Sequence, residues 1–141
     1  MTGEDAPEDE VSGEPRWLSE AILLAIHARQ VERYGGAHGV LDENVVRSAL
    51  ARPRHRWSDD EDADLADPAA TYLVGFSRSQ GFRDGNERTA LAASLVFLSL
   101  NGRAPHVPPK EIYAVCMKAA LGEADDEAVA RYLRDRIEPA E

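Results

Sequence analysis

Apolar residues recur at helical spacing from Leu18 through Ala21, Ile22, Ala25 and Ala28, and Gly35-Gly36 stops the run after Tyr34. Asp42 stands where an N-cap belongs, ahead of a short second helix carrying Val45, Val46, Ala49 and Leu50. Pro53 is expected to end that helix. Residues 52–61 (RPRHRWSDDE) show no period and predict an exposed loop or short extended flap. A third helix is predicted from about Asp62 to Arg78, with Leu65, Ala69, Tyr72, Leu73 and Phe76 inward. Pro68 inside it implies a late start near Asp67 or a kink. After the polar loop SQGFRDGN, the stretch ERTALAASLVFLSLNG is apolar almost all round, which predicts the helix buried on most sides, closed by Asn101-Gly102. Two more helices are predicted, at about Pro108–Leu121 and Asp125–Ile137. No alternating run of strand length stands out, so the expected fold class is all-α.

The first fifteen residues break this pattern. MTGEDAPEDEVSGEP is acidic, rich in Pro and Gly, and poor in core residues, so residues 1–15 are expected to form a disordered acidic tail and residues 16–138 the domain. The whole chain is 141 residues with 43% hydrophobic and 30% charged residues, ordinary for one compact globular domain. A net charge of −10 excludes non-specific binding to nucleic acid or to an anionic membrane surface. The single cysteine, Cys116, excludes an internal disulfide framework. There is neither a membrane-length apolar run nor the basic start of a signal peptide, and the expected location is cytoplasmic. Against the acidic background stands a basic knot of Arg52, Arg54, His55 and Arg56, either a solvated loop or a surface for an acidic partner or a phosphate.

The chemistry concentrates in Gln80-Gly81-Phe82-Arg83-Asp84-Gly85-Asn86-Glu87-Arg88. A polar loop feeding the start of a buried helix offers free N–H groups and the positive end of the helix dipole, the ingredients of an anion site. Gly85 permits positive φ or close backbone approach, and Asn86 offers an amide to a phosphate oxygen. Arg88 is badly placed for the dipole, whereas its planar fork suits a phosphate. Asp84 could hold Mg²⁺ against phosphates, and Phe82 could pin the loop to the core. The same string also fits a plain capping loop, with Asp84 or Asn86 as cap and Arg88 paired to a local acid.

Phe82, Asp84, Gly85, Asn86 and Arg88 stand in the register of H-x-F-x-[D/E]-[G/A]-N-x-R, the signature of the Fic/Doc family, and Thr89-Ala90-Leu91 follows as in its Doc-like (death-on-curing) branch. Arg33-Tyr34-Gly35-Gly36, Ser48-Ala49-Leu50-Ala51-Arg52-Pro53 and Ala70-Thr71-Tyr72-Leu73 extend the resemblance over about residues 17–137. It implies a compact bundle of about six helices around a buried central helix, with an exposed flap. It also implies transfer of a phosphate-containing group, phosphate or AMP, from a nucleotide such as ATP with Mg²⁺ to a protein hydroxyl. On that basis Asp84 is the metal ligand, Gly85, Asn86 and Arg88 are phosphate-binding, and Phe82 is structural. Arg54, His55 and Trp57 belong to the flap that aligns a target by strand addition. A translation factor is a candidate target and an antitoxin a candidate partner.

Three positions depart from the signature. Gln80 stands where the family histidine acts as general base, and an amide cannot hold a proton near neutral pH. Glu87 sets a carboxylate beside the phosphate site, where Doc-like members carry lysine. Leu91 replaces the second arginine of AMP-transferring members, which places the chain on the Doc-like branch. Two functions follow: a toxin-type transferase with weak or lost activity, or a pseudoenzyme kept as a protein- or nucleotide-binding regulatory module.

Overall fold

The computed structural model describes residues 13–139, so the acidic tail expected over residues 1–15 lies mostly outside the described residues. Its last members already belong to the body. The Glu14 carboxylate accepts a hydrogen bond from Trp17 Nε1 at 2.6 Å and pairs with Arg54 at 3.2 Å. Both contacts hold its pKa below the usual carboxylate range, the Trp17 bond most.

Six helices and one short two-stranded ladder make up the described residues, as the all-α expectation requires. Helix α1 (Glu20–Tyr34) starts where the Ser19 side chain accepts from Ile22 N, and it buries Leu23, His27 and Val31 along one i, i+4 stripe. Helix α2 (Glu43–Asp59) is capped by Asp42, whose carboxylate accepts from the N–H groups of Asn44 and Val45. Helix α3 (Ala66–Arg78) makes a late start, as Pro68 allowed, although Leu65 and not Asp67 is its N-cap. Pro68 falls in its first turn, where a missing N–H does no harm. Helix α4 (Asn86–Leu100) follows the motif loop, then β1 (Arg103–Pro105), α5 (Pro109–Ala120), α6 (Asp126–Arg134) and β2 (Ile137–Pro139).

Three expectations are corrected. Pro53 does not end α2; it lies buried inside a seventeen-residue helix, so residues 53–59 are helical rather than an extended flap. Tertiary charge pairs override the local rule. Arg52 and Arg56, one turn apart, both reach Asp126 Oδ2, at 3.2 and 3.1 Å, and Thr71 Oγ1 donates to the same oxygen at 3.3 Å. The last helix stops at Arg134, and Ile137–Pro139 instead pairs antiparallel with Arg103–Pro105, a ladder too short to leave an alternating signature. Finally, the most buried helix is α3, not α4. Eleven of its thirteen residues are buried, and it packs against α2, α4, α5 and α6.

Helix α4 lies alongside α3, burying Thr89, Ala90, Ala93, Phe97 and Leu98 but exposing Val96 and Ser99. Ser94 Oγ bridges the two helices by donating to the Ala69 carbonyl at 2.8 Å. An aromatic cluster closes the far end. Trp17 stacks on Phe97 with ring centroids 5.7 Å apart and meets Trp57 edge-on at 6.4 Å, while Tyr72 leans on Phe97 at 5.2 Å. Burial pushes the Tyr72 hydroxyl up to about 12, against the opposing pull of the Leu18 N–H bonded to its oxygen.

Candidate functional site

The motif loop is held by backbone on one side and by side chains on the other. Gly81 O accepts from Leu41 N at 2.8 Å and Asp42 N at 3.1 Å, and Arg83 N donates to Gly39 O at 3.1 Å. These bonds form an isolated antiparallel bridge between Val40 and Phe82. Gly81 makes the approach possible: a Cβ there would fall 2.8 Å from Val46 Cγ2. Gly85 has φ +76°, the left-handed conformation that turns the chain into α4 and that side chains resist.

Phe82 is fully buried, as its pinning role requires, and its ring stacks on His27 with centroids 3.9 Å apart and planes 11° off parallel. His27 Nε2 lies 2.8 Å from the Asp84 carbonyl oxygen. A carbonyl can only accept, so Nε2 carries the proton. His27 lies on α1, far from the motif in sequence, and no local pattern marks it as part of the site. The available signal was only its place on the stripe Leu23, His27, Val31, since a histidine among buried apolar positions needs a polar partner.

Asn86 differs from expectation. Both atoms of its amide are committed within the loop: Oδ1 accepts from Phe82 N at 3.1 Å and Nδ2 donates to Phe82 O at 3.0 Å. Its side chain therefore closes the loop instead of facing a ligand. What remains open to an anion is backbone. No side chain caps α4, and the N–H groups of Asn86, Glu87 and Arg88 have no protein acceptor among the described residues; the Thr89 N–H is the first to be bonded, to Gly85 O at 2.9 Å. Neither Asp84 nor Asn86 is the cap; Gly85 is.

Asp84 is exposed, and its Oδ2 accepts from Ala37 N at 2.7 Å, while Oδ1 has no hydrogen-bond partner among the described residues. No group of three or more metal-binding side chains occurs among the described residues. One carboxylate suits Mg²⁺ only where phosphate oxygens and water complete the shell, as is usual for that ion. The residues therefore fit a metal that arrives with a nucleotide.

Arg88 forms no ion pair or hydrogen bond among the described residues, so the pairing to a local acid is absent. Its guanidinium carbon lies 3.9 Å from the Tyr34 ring centroid and 4.5 Å from that of Tyr113. Glu87 pairs with neither Arg83 nor Arg88; its carbonyl accepts from the buried Cys116 thiol at 3.2 Å. Burial, aided by the Glu87 charge, pushes that thiol up to about 12, so Cys116 is core rather than a nucleophile. Gln80 is exposed, beside buried Gly81.

The residues assigned to a flap lie apart from this loop in their contacts. Arg54 pairs with Glu14 and lies over the Trp17 ring, Trp57 packs on Trp17, and exposed His55 lines a cleft with Arg52, Arg56 and Asp126. Their helical backbone rules out strand addition by residues 53–59 as they stand. The structure thus brings together Phe82, Asp84, Gly85, Asn86 and Arg88, adds His27, Tyr34 and Tyr113, and leaves Arg54, His55 and Trp57 elsewhere.

The match to known proteins spans the motif loop. A model of the Fic/DOC family matches residues 17–98. A protein kinase doc of Escherichia phage P1 is 37% identical over 119 residues, covering 84% of this chain and 94% of its own. A toxin Doc of Mycolicibacterium smegmatis is 39% identical over 70 residues, covering 49% of this chain and 54% of its own.

Proposed function

The chain belongs to the Fic/Doc family, and from that premise we propose that it is a Doc-like, toxin-type protein that binds a nucleotide through its phosphates but transfers a group only weakly. The observation that carries this reading is the start of α4. Its uncapped first turn, the Asp84 carboxylate just before it and the Arg88 side chain within it lie on seven consecutive residues held by the Phe82–Asn86 bonds. Phosphoryl transfer draws much of its catalysis from such positioning and charge stabilisation. Backbone N–H groups of Asn86, Glu87 and Arg88, with the Arg88 fork, take the phosphate oxygens. Asp84 would hold Mg²⁺, which would supply charge neutralisation along the phosphates when bound.

The base is what the loop lacks. Gln80 can orient a target hydroxyl by hydrogen bonding but cannot take its proton, and loss of a general base lowers rates by about 10²–10⁴. The terminal phosphate is the favoured group: Leu91 lacks the second arginine of AMP-transferring members, and the phage relative is described as a protein kinase. The acceptor is then a hydroxyl of a protein, with a translation factor as candidate, and the toxin relatives point to an antitoxin as a restraining partner. The second reading, a regulatory binding module without chemistry, is favoured by Gln80 and Glu87 together.

Incubation with ATP labelled at the α or γ position, Mg²⁺ and cell extract, beside Gln80→His, separates the readings. The native chain is expected to bind ATP·Mg²⁺ and transfer γ label slowly, and Gln80→His to transfer it about 10²-fold faster or more. Binding without transfer in either form would leave the regulatory module. Absence of ATP binding by both would overturn the nucleotide site.

A further inference from the structure

Arg88 is held in a way its chain position does not explain. It is the third residue of α4, where a cation opposes the helix dipole. The chain carries 26 carboxylates against 16 Lys and Arg, yet this guanidinium rests on two aromatic rings and on no carboxylate. At 3.9 and 4.5 Å from a ring centroid, a guanidinium carbon must lie over the ring face, because an approach in the ring plane stops farther out at the ring hydrogens. The two rings come from different helices, Tyr34 as the last residue of α1 and Tyr113 in the second turn of α5, so the group is held where these two elements meet.

The consequence is chemical. A ring face attracts the cation without consuming strong acceptors, so the N–H edge of the fork keeps its donors for an oxyanion. A free arginine has rotamer freedom that binding must remove. Contact with two rings removes much of it beforehand, which is preorganisation in the ordinary sense. A carboxylate partner would have held the side chain equally well but would have occupied the same N–H edge and cancelled the charge.

We infer that Tyr34 and Tyr113 are positioning residues that hold Arg88 ready for a phosphate group, so that anion recognition here depends on two aromatic rings outside the signature loop. This rests on the nucleotide-site reading above. Neither hydroxyl is needed, since attraction comes from the ring quadrupole. Phenylalanine should serve and leucine should not. Lysine in place of Arg88 should also fail, because an ammonium has no planar edge to present.

The test uses the full chain, Tyr34→Phe and Tyr113→Phe, the paired change Tyr34→Leu with Tyr113→Leu, and two readouts. The first is the proton NMR shift of the Arg88 side chain, which ring currents displace upfield. The second is calorimetric affinity for ATP·Mg²⁺ and for inorganic pyrophosphate, with circular dichroism and a melting curve confirming the fold. The Phe variants are expected to keep both the shift and the affinity. The double Leu variant is expected to lose the upfield shift and bind about ten-fold more weakly, the equivalent of two modest cation–π contacts. Were the paired change to unfold the chain, either single Leu variant carries the same comparison at a smaller effect.

Affinity unchanged in the Leu variants would overturn the positioning role and leave the nucleotide site standing. No binding of ATP or pyrophosphate by the native chain would overturn that site and this role with it, whatever the shift. An unshifted Arg88 in the native chain would overturn the clamp alone.

Discussion

At the scale of single residues the loop is a small network of polar contacts with the buried side chains of Asn86 and His27 at its centre. Asn86 closes the loop, because its amide satisfies both the N–H and the C=O of Phe82 at a buried position. Asn86→Ala leaves both orphaned and is expected to destabilise the fold by about 1–3 kcal/mol, read as a lower urea midpoint. Asn86→Asp is expected to be no better, since a carboxylate can accept from Phe82 N but cannot donate to Phe82 O. An unchanged midpoint in both would mean that the loop is held by its neighbours alone. Much of this network was legible: Phe82, Asp84, Gly85 and Arg88 stand where the signature puts them. The Asn86 side chain was not, because an amide four residues from its partner fits a loop closure and a ligand contact equally well until the turn at Gly85 fixes its direction. His27, Tyr34 and Tyr113 were out of reach for another reason. They act across 50 or so residues or across helices, where no spacing rule applies.

At the scale of elements the instructive case is α2. A proline after ten helical residues, followed by a charged stretch without period, has every local mark of a helix end. The helix continues because Arg52 and Arg56 converge on Asp126, about 70 positions away, at a site where Thr71 also donates. The Asp126 side chain is only 11% exposed, so this is not an ordinary surface pair. Asp126→Ala should therefore act at a distance. Backbone amides of residues 54–59 are expected to exchange with deuterium much faster, while those of residues 46–51, ahead of the proline, keep their protection. Equal protection across both halves of α2 would show that Trp57 packing on Trp17 suffices to hold the helix. Helix starts needed no such help: Asp42 caps α2 and Asp125 caps α6 as side chains of that type do, and those two starts were readable because a cap is a local event.

At the scale of the whole molecule two opposing fields meet at α4. The chain carries a net charge of −10, which repels any nucleotide from a distance, and among the described residues the basic knot does not relieve it: Arg52 and Arg56 are paired with Asp126 and Arg54 with Glu14. Close to the loop stand donors of the opposite sign, the uncapped N–H groups and an Arg88 that no carboxylate pairs with, although the Asp84 and Glu87 carboxylates lie on the same stretch. Salt acts on these two fields unequally. The Debye length falls from about 30 Å at 0.01 M salt to about 8 Å at 0.15 M, so added salt removes the long-range repulsion while contacts at hydrogen-bond distance are affected far less. Calorimetric affinity for ATP·Mg²⁺ is therefore expected to stay level or rise between 10 and 150 mM NaCl. A ligand bound by a basic patch would do the opposite and weaken steeply, as polyanions do on cationic surfaces. A steep fall would mean that the nucleotide is held by accumulated positive charge elsewhere, and not by a few oriented donors at the head of one helix. The distinction matters for an acidic protein of this family, because only oriented donors can select a phosphate against the field of the molecule that carries them.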